Sequence, residues 1–226
     1  MIRLPIKYIA LHNAQKTLTF LFIGIIFFIF SPQPISAADT TTNCWVTNYG
    51  TPDENDTLPA GCATLARVPL YKQWDSRWGR IPYGNCGDGS TLASSACGST
   101  SLAMVISYHL GREVLPPETS QKAVANGWRP CGNGTAWAAM TGMPPLYGLR
   151  GKAISWNEAK TYLSLGIPII QSHGRGLFTS EGHFVVVTGK LSNGKYAIND
   201  PDGRHITEAS EGQITASNKA QWVIYR

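Results

Sequence analysis

The sequence predicts an α+β chain in which helices come first and antiparallel strands follow. Three observations carry this expectation. Helix-period apolar spacing and helix punctuation fall between residues 97 and 165. β-Branched and aromatic runs dominate from residue 167 onward, and an Asn-Gly pair joins two of those runs as a hairpin would. A chain whose helices and strands are segregated rather than alternating belongs to the α+β class.

Taken in order, residues 1–16 carry Arg3, Lys7 and Lys16 and no acid, and are followed by the 13-residue apolar block LTFLFIGIIFFIF. Ser36, Ala37 and Ala38 then offer small residues for a signal peptidase. A basic start, a short apolar core and a small-residue exit describe a secretory signal peptide over residues 1–38, cleaved near Ala38. The alternative, an uncleaved membrane anchor, calls for roughly 20 apolar residues. Residues 39–65 are polar and turn-rich, without helix or strand periodicity, and form an extension that a Cys44–Cys62 bridge would close. The main domain spans residues 66–226 and begins near ARVPLYKQWDSRWG.

Within it, Leu102, Val105, Ile106 and His109 follow Cys97 at helical spacing, and Gly111 suits a left-handed helix stop. A second helix fits Pro117–Ala125, ended by Asn126-Gly127, and a third fits TAWAAM. Ser155 and Glu158 form a capping box for a helix through Leu165 that Gly166 ends. The strands expected are residues 167–170, 183–189, 195–199 and 221–225, with Asn193-Gly194 as a hairpin turn and DPDG as a second turn.

Charge and cysteine usage narrow the function classes. The chain has 19 Lys+Arg against 14 Asp+Glu, but three of the bases and none of the acids lie in residues 1–38. An exported chain would therefore be nearly neutral, with no basic cluster to suggest nucleic acid. Export also permits disulfides. Five cysteines leave at least one outside any internal pair. Cys44 with Cys62, and Cys86 with Cys131 in the loops YGNCGDGS and RPCGNGT, are the candidate bridges, and Cys97 is left over.

Cys97 alone opens a helix pattern, where unpaired N–H groups and the helix dipole favour a thiolate. The bland alternative is a buried small hydrophobe. A nucleophilic cysteine needs a base. His109 lies twelve residues along the same helix, about 18 Å away at 1.5 Å per residue, and is excluded. His205 follows a turn and is expected at the surface, and His173 lies in the Gly-rich SHGRG with a modest claim as a substrate-loop residue. His183 opens the most apolar strand directly after Gly182, where a polar ring must be satisfied or used. The expected partner strand ends in YAINDPDG, so Asp200 or Asn199 can orient the imidazole. Strand alternation puts Tyr196, Ile198 and Asp200 on one face and Ala197 and Asn199 on the other.

The string VPLYKQWDSRW, then ACGSTSLAMVISY, GHFVVVTG and YAINDPDG, resembles the papain-fold cysteine peptidases of the bacteriocin-leader-processing type, peptidase family thirty-nine-like, over about Val68–Gly203. The resemblance implies a papain-like fold whose helical N-terminal part, with the nucleophile helix, packs on a C-terminal antiparallel sheet. It implies Cys97 as nucleophile, His183 as general base, Asp200 as orienter and Gln73 as the side-chain donor to the oxyanion. Ser99 stands where such proteins often have Pro, and Gln73 lies 24 residues before Cys97, as in secreted stand-alone relatives rather than transporter-linked ones. The expectation is a secreted, monomeric cysteine hydrolase, peptidase or amidase, acting on a peptide or cell-wall peptide. No metal or cofactor is called for, and no nucleic-acid partner. A membrane is involved only if the N-terminal segment stays uncleaved. The competing expectation is an idle peptide- or glycan-binding module in which Trp74, Trp78, Trp128, Trp137 and Trp156 line a groove. Amidases of the NlpC or CHAP kind share the Cys-then-His order but carry DCSG-like or differently spaced motifs that this chain lacks.

Overall fold

The computed structural model describes residues 68–84, 86–203 and 206–226. The expected signal peptide, the extension with Cys44 and Cys62, and His205 lie outside the described residues.

The helical part opens with the single turn α1 (Leu92–Ser95), followed after one residue by α2 (Cys97–Leu110). Gly111 ends α2 at φ 64°, a left-handed stop that only glycine adopts without strain. Helix α3 (Pro116–Ala125) begins with Pro116, whose fixed φ and missing N–H suit a first turn. The helix expected through TAWAAM shrinks to one turn, α4 (Ala139–Gly142). The backbone N–H of Ala136 is spent instead on the Trp128 carbonyl. Helix α5 (Trp156–Ser164) carries the expected capping box: Ser155 Oγ accepts the Glu158 N–H, and a Glu158 carboxylate oxygen accepts the Ser155 N–H at 2.8 Å.

The strands are β1 (Arg150–Ala153), β2 (Ile169–His173), β3 (His183–Lys190), β4 (Tyr196–Asn199), β5 (Glu208–Ala209) and β6 (Asn218–Tyr225), with α6 (Glu211–Ser217) leading into β6. They form one sheet in the order β1-β6-β2-β3-β4-β5, and every neighbouring pair is antiparallel. β1, β5 and α6 were not expected. β1 is the polar RGKA edge and β5 is two residues long, so neither carries an apolar alternation to read.

Period-2 alternation divides the sheet's apolar side chains between two cores. Ile170, Phe184, Val186, Trp222 and Ile224 pack with Leu102, Val105 and Ile106 of α2. Ile169, Val185, Val187, Ile198 and Val223 face Ala159 and Leu163 of α5 and Ile214 of α6. Both faces of the central strands are therefore covered, which is why Phe184–Val187 of β3 reads as an unbroken apolar run. Helix α2 is buried from Gly98 to Ser107 on all sides. Truncating one of its fully buried residues, such as Leu102, would cost about 2–5 kcal/mol.

Candidate active site

The site begins at the break between α1 and α2. Ala96 leaves helical geometry (φ −98°, ψ 20°), so the chain starts a fresh helix at Cys97 and exposes a new set of unpaired N–H groups there. Cys97 is partly exposed and carries a free thiol, whereas Cys86 and Cys131 are bonded to each other.

His183 opens β3 and is 7% exposed. Its Nε2 lies 2.7 Å from Oδ1 of Asp200, itself 2% exposed. The register explains why Asp200 rather than Asn199 reaches the ring. Val187 pairs with Ile198 and Val186 with Asn199, so Asp200 shares the face of Val185 and His183 while Asn199 shares that of Val186. Asn199 turns away and donates to the carbonyls of Val68 and Pro69, both at 3.2 Å. With Nε2 engaged by Asp200, the other ring nitrogen stays available, and the nearby Cys97 also favours the charged ring. Burial alone would discharge His183, but the Asp200 and Cys97 interactions outweigh it and push its pKa up to about 10. Burial likewise opposes ionisation of Asp200, yet His183 and the backbone N–H groups of Asp202 and Gly203 hold its carboxyl below the usual range.

Gln73 is buried and bridges two parts of the site. Its side-chain Nε2 donates to the Ala93 carbonyl at 2.6 Å, in the turn before Cys97. Its backbone N–H donates to the Pro201 carbonyl at 2.9 Å, just after Asp200. That contact uses one amide hydrogen and leaves the second. Beside it, Lys72 donates to the Asp200 carbonyl at 3.1 Å and Trp74 Nε1 to that of Asp202 at 2.7 Å. The segment 72–74 thus straps the Asp200 turn against α1, the turn that precedes Cys97.

Cys97 and His183 open onto a cavity of about 660 Å3 whose walls include Ser94, Thr135, Trp137, Ser172 and Glu181. The disulfide ties the loops of Asp88 and Gly132, which form part of the cavity wall. The same two loops are joined by Arg129, whose buried guanidinium meets Asp88 at 3.0 Å and also donates to the Pro130 and Asn133 carbonyls. The Ser90 and Gly132 backbone N–H groups hold Asp88 far below the carboxylate range.

His173 is not the loop residue expected from SHGRG. It ends β2 directly opposite His183, is 1% exposed, and has Ser217 Oγ and Gln171 Oε1 on its two nitrogens at 3.0 and 3.2 Å. The glycines that suggested a loop begin only at the next residue. The tryptophans do not form one groove. Trp78 is buried, Trp156 packs edge-on against Tyr196, and Trp128 packs against the α2 core. Trp74 lines a separate hollow with Arg80 and Thr91, and Trp137 alone reaches the Cys97 cavity. Sequence reasoning named Trp137 as one of five groove tryptophans and missed Thr135 and Glu181. Neither sits in a periodic pattern, and the only signal was their closeness to Cys131 or to Gly182-His183.

A family model described as the Peptidase_C39 like family matches residues 65–225. No curated protein matches the chain. Among solved structures, the chain is similar to the peptidase domain of Streptococcus ComA, a bifunctional ABC transporter involved in quorum sensing. The two share 19% identity over 70% of this chain and 96% of that one, with a TM-score of 0.48.

Proposed function

The chain belongs to the Peptidase_C39-like family, cysteine peptidases with a papain-like α+β fold, and from that premise we propose that it is an exported cysteine hydrolase cutting a peptide or peptidoglycan amide with Cys97, His183 and Asp200. The observation that carries this reading is the 2.7 Å contact between His183 Nε2 and Asp200, with Cys97 and His183 lining the same cavity. Asp200 holds the ring in one orientation and favours its charged form, so His183 can take the Cys97 proton and free the sulfur as nucleophile.

The thiolate attacks the amide carbonyl carbon, and the carbonyl oxygen takes the displaced electron pair. The Cys97 backbone N–H and the second Nε2 hydrogen of Gln73 receive that charge; losing one such donor costs about 100- to 1000-fold in rate. His183 passes its proton to the departing amine as the C–N bond breaks, leaving a thioester on Cys97. A water molecule, deprotonated by His183, hydrolyses the thioester and restores the thiolate–imidazolium pair. The expected route out of the cell is the N-terminal segment, removed near Ala38.

The test is hydrolysis of peptide and cell-wall-peptide libraries by the wild type and Cys97→Ala. Cys97→Ala is expected to abolish cleavage and iodoacetamide labelling while keeping the fold. Unchanged cleavage by that variant would overturn the reading.

A further inference from the structure

The helix that carries Cys97 lacks a cap of its own. Ala96 occupies the N-cap position and has no side-chain oxygen to accept the orphan N–H groups of the first turn. One of those groups, the Ser99 N–H, is nevertheless satisfied, by Thr135 Oγ1 at 3.1 Å. Thr135 stands 36 residues along the chain and is itself buried. Behind it, the hydroxyl of the buried Tyr83 lies 2.7 Å from the same oxygen.

This contact requires two glycines. A methyl group added at Gly98 would sit 2.6 Å from Thr135 Cβ and 3.1 Å from a Phe184 ring carbon. One added at Gly134 would sit 2.9 Å from the Ser95 carbonyl oxygen. Both are closer than carbon can approach without displacement, so the Gly134-Thr135 segment is pressed against the start of α2 where side chains are missing on both sides. The segment is held there from outside. The Ala136 N–H is bound to Trp128, Arg129 binds the carbonyls of Pro130 and Asn133, and Cys131 is bonded to Cys86. Arg129 also covers the Tyr83 ring at 4.9 Å and donates to its carbonyl at 3.1 Å.

We infer that Thr135 is a positioning residue for the nucleophile: its hydroxyl oxygen, backed by Tyr83 and seated in the gap left by Gly98, caps the helix from outside and fixes the first turn that aims Cys97 at His183. The kinetic meaning of this role rests on the hydrolase reading; the geometry of the cap does not. Replacing the oxygen by a methyl leaves the Ser99 N–H buried without a partner and removes Thr135 from the Tyr83 hydroxyl, and the first turn relaxes to find a new acceptor. Small displacements of a reacting atom are costly in rate.

The probe is iodoacetamide, which reports the reactivity of Cys97 without any substrate. Thr135→Val is expected to slow alkylation of Cys97 at neutral pH by roughly 10-fold and to lower kcat by roughly 10- to 100-fold with KM nearly unchanged. Thr135→Ser, which keeps the oxygen and drops the methyl, is expected to restore both. Should Thr135→Val fold poorly, Tyr83→Phe removes the hydroxyl behind the cap and is expected to slow alkylation by about 3- to 10-fold. Wild-type alkylation in the folded Thr135→Val or Tyr83→Phe variant would overturn the inference. So would a Thr135→Ser variant as impaired as Thr135→Val, because the methyl packing rather than the oxygen would then matter. If cleavage instead persists in Cys97→Ala, the hydrolase reading falls, and the alkylation rates still decide whether Thr135 caps the helix.

Discussion

Two buried histidines face each other across β2 and β3, and the chain treats them in opposite ways. His173 and His183 are register partners, and both are more than nine-tenths buried. His183 has a carboxylate on one nitrogen, with Cys97 also favouring its charged form, and its pKa rises to about 10. His173 has only a serine hydroxyl and a glutamine oxygen. Burial first, and then the charge on His183, lower its pKa to about 4. The strand end and the burial are common to the two, so the partners decide which ring is charged. His183 keeps its charge because an acid at the end of the next strand compensates for its desolvation, which is what the proposed proton-carrying role requires.

The largest effect expected is on catalysis. His183→Gln should lower kcat by roughly 1000-fold or more. His173→Gln, assayed below its melting temperature, should stay within about threefold, since no proton transfer is assigned to His173. Equal losses in the two variants would break the contrast.

Asp200→Asn comes next. It should reduce kcat by about 100-fold or more by removing the charge that orients and holds the imidazolium. It should also bring the alkaline limb of the kcat/KM profile down from near 10 toward the ordinary histidine value of 6.5. An alkaline limb left where it is in the wild type would show that Cys97, not Asp200, maintains the charge on His183.

The smallest effect is on stability, and the two histidines act in separate pH windows. The folded pKa of His183 is raised, so its contribution is fully present below about 6.5 and is lost as pH climbs through about 10. The folded pKa of His173 is lowered, so the unfolded chain binds the extra proton between about 6.5 and about 4 and stability falls with pH across that interval. The loss amounts to at most about 3 kcal/mol. Denaturant unfolding from pH 7 to pH 4 should show this decline in the wild type and a flatter profile in His173→Gln. An identical slope in both would assign the acid sensitivity elsewhere.

Much of the candidate site is legible in the sequence, for local reasons. Cys97 stands at a helix start set by the apolar spacing after it, and His183 at a strand start set by the run Phe184–Val187. The choice between Asp200 and Asn199 was half legible. Alternation showed that the two residues face opposite ways, but which face carries His183 depends on the β3–β4 register. The bulge between Val187 and Gly189 makes that register hard to count from the turn. His173 was misread because three of the four residues after it are Gly, Arg and Gly, and nothing local shows that β2 runs on through Ser172 to pair with both β3 and β6. β1 and β5 escaped notice because edge strands need only backbone hydrogen bonds, which any residue other than proline supplies.

Periodicity, helix punctuation and turn chemistry act over a few residues, so the linear chain dictated α2, α3 and α5, the strand β3, the β3–β4 hairpin and the positions of Cys97 and His183 on them. Charge on a histidine and a cap on a helix come from groups brought close by folding. Asp200 is 17 residues from His183 and Thr135 is 36 from Ser99. Gly98 and Gly134 could be read as small residues, but only packing revealed that each makes room for a neighbour. Those distances are set by sheet register and by how closely two backbones can approach, and both are properties of the folded whole.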